Sequence, residues 1–105
     1  MSGYARVKKI QHIDVGIFMN KIVFYDNKNV IHAQLRYFRK LRKLTQEQIA
    51  AKLQTMNVNI DQRGISRIER NQRVVTDYEL ACFCRALGVT ERDLLSDFYE
   101  QYPDE

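Results

Sequence analysis

One proline, two cysteines and four glycines in 105 residues remove most markers of several functional classes. With so little proline, and 45% hydrophobic residues, a globular and largely helical chain is expected. Cys82 and Cys84 lie two apart, so on a helix they point to nearly opposite sides and make a poor disulfide. No second Cys pair or nearby His completes a metal site, so both read as small core residues in a reducing compartment. His12 and His32 are isolated, no Ser/His/Asp or Cys/His arrangement occurs, and no glycine-rich phosphate loop exists. Nothing here specifies an enzyme, a cofactor or a small-molecule site. No stretch approaches membrane-spanning length. Lys8 and Lys9 before Ile10 open like a signal peptide, but His12 and Asp14 break the apolar run and no small-residue cleavage pattern follows. The expected location is the cytoplasm.

What the chain does have is charge polarity. The net charge of +4 is modest, but residues 34–76 hold ten Lys/Arg against three Asp/Glu, whereas residues 77–105 hold two against eight. A basic face for a polyanion and an acidic tail turned elsewhere is the reading this supports. A solvated basic helix is the bland alternative on charge alone.

Residues 1–29 are the least legible and read as an N-terminal extension. The short apolar "KIVFY" (21–25), followed by "DNKN", suits a strand and turn. Alternatively Met19 is the true start, with residues 1–18 an upstream extension. From Val30 onward the signals are helical. Ile31, Leu35, Phe38 and Leu41 recur at helical spacing, predicting a first helix over 30–42. Thr45 with Gln48 forms a capping box for a second helix with Ile49, Ala50 and Leu53 inward. Asp61 caps a third, Thr76 with Glu79 a fourth that Gly88 stops, and Thr90 with Asp93 a fifth running through Leu94, Leu95, Phe98 and Tyr102. The expected fold is an all-α five-helix bundle, with a domain over 30–99 and an acidic tail over 100–105.

The third helix carries the chemistry. In "GISRIERNQR" (64–73) and the residue before it, Arg63, Ser66, Arg67 and Arg70 fall at i, i+3, i+4 and i+7, forming one stripe, while Ile65 and Ile68 point away from it. Taken with "LRKLTQEQIAAKL", "ISRIERNQRVVT" and "LGVTERDLL", the chain resembles the phage-repressor-type (Cro-like, xenobiotic-response-element) helix-turn-helix family over roughly 31–96. Three separated blocks agree in order and spacing. The resemblance implies a compact five-helix domain whose third helix enters the DNA major groove, usually as a symmetric homodimer.

Carried over residue by residue, the resemblance implies base reading by Gln62, Arg63, Ser66 and Arg67. Gln62 suits adenine N6 and N7, and each arginine suits guanine O6 and N7 or else a phosphate. Gln46, Arg70, Asn71 and Arg73 are the implied phosphate contacts, with Gln46 also bracing Gln62. Asn71 stands where the family's Glu-x-Gly-x-Arg has glycine, which a left-handed backbone at Asn permits. Glu69 reads as structural, since a carboxylate facing phosphate would be repelled. Arg36, Arg39 and Lys43 read as a solvated basic face, with outer phosphate contact as the alternative. Gly64 costs helix stability and fits either a close approach to DNA or packing against the second helix. One departure is a turn, "QTMNVNID", about five residues longer than the family's usual connection. Met56 suggests another turn of the second helix, and Ile60 fills the apolar slot before the third.

The function implied is a sequence-specific double-stranded DNA-binding regulator, most simply a repressor. The alternative is a protein-interaction module, such as an antitoxin or phage accessory factor, with "SDFYEQYPDE" serving a protein partner. Leu95, Phe98 and Tyr102 make either a dimer surface or a packing surface for the chain's own N-terminal segment.

Overall fold

Three threonines and an aspartate start the helices that matter. In the computed structural model, which describes residues 24–104, Thr45, Thr76 and Thr90 each accept a backbone N–H three residues on. The side chains of Gln48, Glu79 and Asp93 return the bond to the threonine N–H, completing all three boxes. Asp61 caps through Gly64 N at 2.8 Å. The elements are α1 (His32–Leu41), α2 (Gln46–Gln54), α3 (Gln62–Glu69), α4 (Asp77–Leu87), α5 (Glu91–Leu94) and α6 (Ser96–Gln101). Among the described residues there are thus six helices, and the architecture is all-α. The predicted fifth helix is divided at Leu95, whose φ of −93° and ψ of 8° leave the α region.

Helix ends are as regular as the starts. α1, α2 and α3 each close with a paired 6→1 and 5→2 backbone bond, the Schellman arrangement. The left-handed residue is Lys43 (φ 59°), Asn57 (φ 62°) and Asn71 (φ 62°) in turn, while α4 uses Gly88 (φ 68°). This settles the long turn. α2 does not gain a further turn at Met56. The chain reverses at Asn57, buries Val58 and Ile60, and re-enters as α3.

The core is one cluster. Leu35, Ile49, Leu53, Ile65, Ile68, Phe83 and Leu94 are fully buried and contributed by α1 to α5. α3 packs against α1 and α2, and α4 against α1 and α2, so the short α3 is backed by two helices. Cys84 lies in this core and Cys82 at its margin. Leu41, expected on the core stripe of α1, is 52% exposed, and Arg39 is buried in its place.

Ahead of α1, Phe24 and Asn27 exchange two backbone hydrogen bonds around Tyr25 and Asp26, both at positive φ. Two left-handed central residues make this a type I′ hairpin turn. The expected strand falls mostly on residues 21–23 and the alternative start on Met19; both lie outside the described residues. Phe24 packs on Phe98 and Tyr102, and Tyr25 stacks on Tyr102 at 5.6 Å. The stripe of Phe98 and Tyr102 therefore meets the chain's own N-terminal segment.

Candidate nucleic-acid interface

α3 divides into two faces. Ile65 and Ile68 are fully buried, and Glu69 is 9% exposed. On the other side Gln62, Arg63, Arg67 and Arg70 are exposed and Ser66 is half-buried. The 3.6-residue period alone places the cations together, and burial of the isoleucines fixes which way they point. The structure therefore brings Gln62, Arg63, Ser66, Arg67 and Arg70 onto one face.

A chain of polar contacts runs from the interior to that face. Arg39 Nε donates to Glu69 Oε2 at 2.6 Å, its Nη2 donates to Oε1 at 2.9 Å, and its Nη1 donates to the Leu44 carbonyl at 2.9 Å. Gln46 Nε2 donates to the same Glu69 Oε1 at 3.0 Å, and Gln62 Nε2 donates to Gln46 Oε1 at 2.7 Å. Because an ionised carboxylate only accepts, Glu69 obliges Gln46 to turn its nitrogen inward and its oxygen toward Gln62. That in turn draws one N–H of Gln62 toward Gln46, leaving its Oε1 and second N–H without a partner among the described residues. One free acceptor beside one free donor is the pattern an adenine edge requires. Gln46 thus braces Gln62, and Glu69 is an internal group. Arg39 belongs neither to a solvated face nor to a phosphate-contacting one: it is the buried partner of Glu69.

Gly64 has a steric reason. A Cβ there would lie 2.7 Å from Ile60 Cγ2, and Ile60 is buried. The constraint comes from the lengthened turn just before α3, not from α2. Beside Gly64 a cleft of about 330 Å³ is lined by Asn59, Asp61, Arg63, Arg67 and Arg73 among others.

Two of the predicted phosphate contacts are engaged elsewhere. Arg73 sends Nη1 to Glu79 Oε1 and Nη2 to Oε2, both at 3.1 Å, so much of its charge is matched within the domain. Burial alone would raise the Glu79 pKa, but the hydrogen bonds from Arg73 and the Thr76 backbone, with the Arg73 charge, hold it below the usual value. Asn71 adopts the expected left-handed conformation, but its amide is taken by residues 27–29. Arg70 remains outward, with Nε 3.3 Å from the Ser66 carbonyl. Cys84 is buried, and burial, then the charges of Glu91 and Asp93, push its thiol up to about 11, which disfavours the thiolate.

The residues that sequence reading missed are Asn27 and Asn29. Asn29 is 8% exposed, and its Nδ2 donates to the Ile68 and Arg73 carbonyls at 3.0 and 2.9 Å. Its Oδ1 accepts from Ile31 N at 3.1 Å, at the entry to α1. The available signal is an asparagine three residues ahead of the first residue of α1, a residue type that bonds to nearby backbone N–H groups.

Among the described residues no helix is long and apolar enough to cross a membrane. Comparison with curated proteins and with solved structures finds no match. A helix-turn-helix family model matches residues 35–94, which span α1 from its first turns through α5 and take in the whole exposed face of α3. Covering more than half of the chain, that match shows that this protein belongs to the Cro/C1-type, xenobiotic-response-element-like helix-turn-helix family of DNA-binding regulators.

Proposed function

We propose that α3 enters the major groove and reads base edges through Gln62, Arg63, Ser66 and Arg67, while Arg70 and the start of α2 at Gln46 meet phosphates. The observation that carries this is the two-faced α3: cations and a pre-oriented glutamine outside, fully buried isoleucines inside. The major groove accepts one α-helix, and bidentate arginine or glutamine pairing discriminates bases there. Helix N-terminal N–H groups suit a phosphate oxygen at α2. Arg73, matched by Glu79, contributes mainly to the α3–α4 junction.

One such helix spans too few base pairs for genomic specificity, so two copies on a palindrome with half-sites about one helical turn apart complete the reading. Occupation of a promoter by that dimer would repress it. The test is selection from random duplexes at near-physiological salt. An enriched palindrome is the expected result, and retention without enrichment refutes base reading. On the selected site, Gln62→Ala or Arg67→Ala costs about 1–3 kcal/mol and relaxes one position. Arg70→Ala weakens all sequences alike and flattens the salt dependence. Failure to retain any duplex would favour the protein-interaction module instead.

A further inference from the structure

Five side-chain hydrogen bonds tie residues 27–29 to the C-terminal end of α3. Asn71 Oδ1 accepts from Lys28 N at 2.9 Å and from Asn29 N at 3.3 Å, and Asn71 Nδ2 donates to Asn27 Oδ1 at 2.8 Å. The Asn29 amide holds the carbonyls of Ile68 and Arg73. These carbonyls bracket the turn that carries Arg70 and reverses at Asn71. The segment itself is anchored at its other end, where Phe24 and Tyr25 pack on Phe98 and Tyr102.

Glycine would take the left-handed backbone at position 71 with the least strain. Asparagine accepts a small backbone cost there, and both ends of its amide grip residues 27–29, which act as a strap. The strap also acts where α3 most needs help. With eight residues α3 is too short to hold itself as a helix, so its seat depends on what secures its ends. Gln46 and Asp61 secure the first turn. The last turn, which carries Arg67 and Arg70, is secured from inside by Arg39 through Glu69 and from outside by this strap.

The geometry points to Asn71 and Asn29 as positioning residues for DNA readout: they lock the last turn of α3 to residues 27–29 and so hold Arg67 and Arg70 in register with the groove. This rests on the reading of α3 as the base-reading helix. It makes the segment before α1 part of the DNA-binding unit.

The test uses the full chain with Asn71→Gly, which preserves the left-handed backbone and deletes only the amide. Three quantities are read: melting temperature, hydrogen exchange of the Arg70 to Gln72 amides, and affinity for the selected duplex against an unrelated one. The melting temperature should stay within a few degrees while those amides exchange about tenfold faster, as expected for loss of hydrogen bonds at one end of a helix. Affinity for the selected site should fall about tenfold with unrelated-site affinity unchanged, because misplacement affects geometric readout more than charge. Asn27→Ala should move the same readouts less; added to Asn71→Gly it should change only what its exposed Nδ2 bond to the Tyr25 carbonyl contributes, so the two effects should be clearly less than additive. It also carries the test if Asn71→Gly lowers the melting temperature.

A folded variant that discriminates as well as the wild type, or whose amides exchange at the wild-type rate, overturns the proposal. A wild type with no sequence preference overturns the reading of α3 itself, and the unsubstituted protein alone reveals that outcome.

Discussion

Replacing Glu69 by alanine removes a carboxylate that three donors share: Arg39 Nε, Arg39 Nη2 and Gln46 Nε2. The side chains of Arg39 and Glu69 are 11% and 4% exposed, so water cannot easily take the place of the lost partner. Breaking a buried pair from one side costs about 3–5 kcal/mol, since it strands the remaining charge. A domain of this size has roughly 4–12 kcal/mol in all. Glu69→Ala is therefore expected to consume much of it, lowering the melting temperature by roughly 12–40 °C at about 4–8 °C per kcal/mol. Urea unfolding followed by circular dichroism, with calorimetry for the midpoint, measures the effect. Replacing both members, as Arg39→Met with Glu69→Leu, should cost clearly less than Glu69→Ala alone, because no charge is then stranded. A loss below about 1 kcal/mol for Glu69→Ala would refute the reasoning, because that is the range of a solvated pair.

Gly64→Ala should destabilise although alanine is the better helix former by about 1 kcal/mol, since overpacking against Ile60 Cγ2 costs about 1–3 kcal/mol. Ile60→Leu, which moves the branch off Cβ, should recover part of that loss in a double-mutant cycle; additive effects would refute the contact. Lys43→Gly should raise the urea midpoint by an amount worth about 0.5–1 kcal/mol, because Lys43 sits at φ 59° and its exposed side chain makes no hydrogen bond or ion pair among the described residues. A lower midpoint would count against left-handed strain there. Glu79 has a folded pKa below its unfolded value, so its contribution is complete at neutral pH and lost as pH falls through the lowered pKa. Glu79→Gln should therefore flatten the acid side of the stability profile below about pH 5, and an unchanged slope there would refute the assignment.

Much of this domain was legible because its signals are local. A threonine with Gln, Glu or Asp three residues on closes two hydrogen bonds inside one helical turn, so the starts of α2, α4 and α5 needed no tertiary information. The stripe on α3 follows from periodicity. Gln46, Gln62 and Glu69 were placed through the family resemblance, and the structure brings them into one connected chain. Leu41 and Arg39 show where periodicity stops: both flank the apolar stripe of α1, and Arg39 is the one that turns inward, to the carboxylate of Glu69, while Leu41 stays exposed.

The sequence by itself determined the helical class, where α2, α3, α4 and α5 start, and that one face of α3 is cationic, since capping and periodicity act over a few residues. Only the tertiary structure decided which arginines of the domain are paired within it among the described residues. Arg39 and Arg73 meet Glu69 and Glu79 because chain segments far apart or sharply turned come together, whereas Gln62, Arg63, Arg67 and Arg70 stay outward. It also decided that Gly64 answers to Ile60 and that Asn71 grips residues 27–29, some forty positions earlier. The physical reason is the same in each case: a side chain's partner is set by packing, and no local pattern records who arrives at the other side.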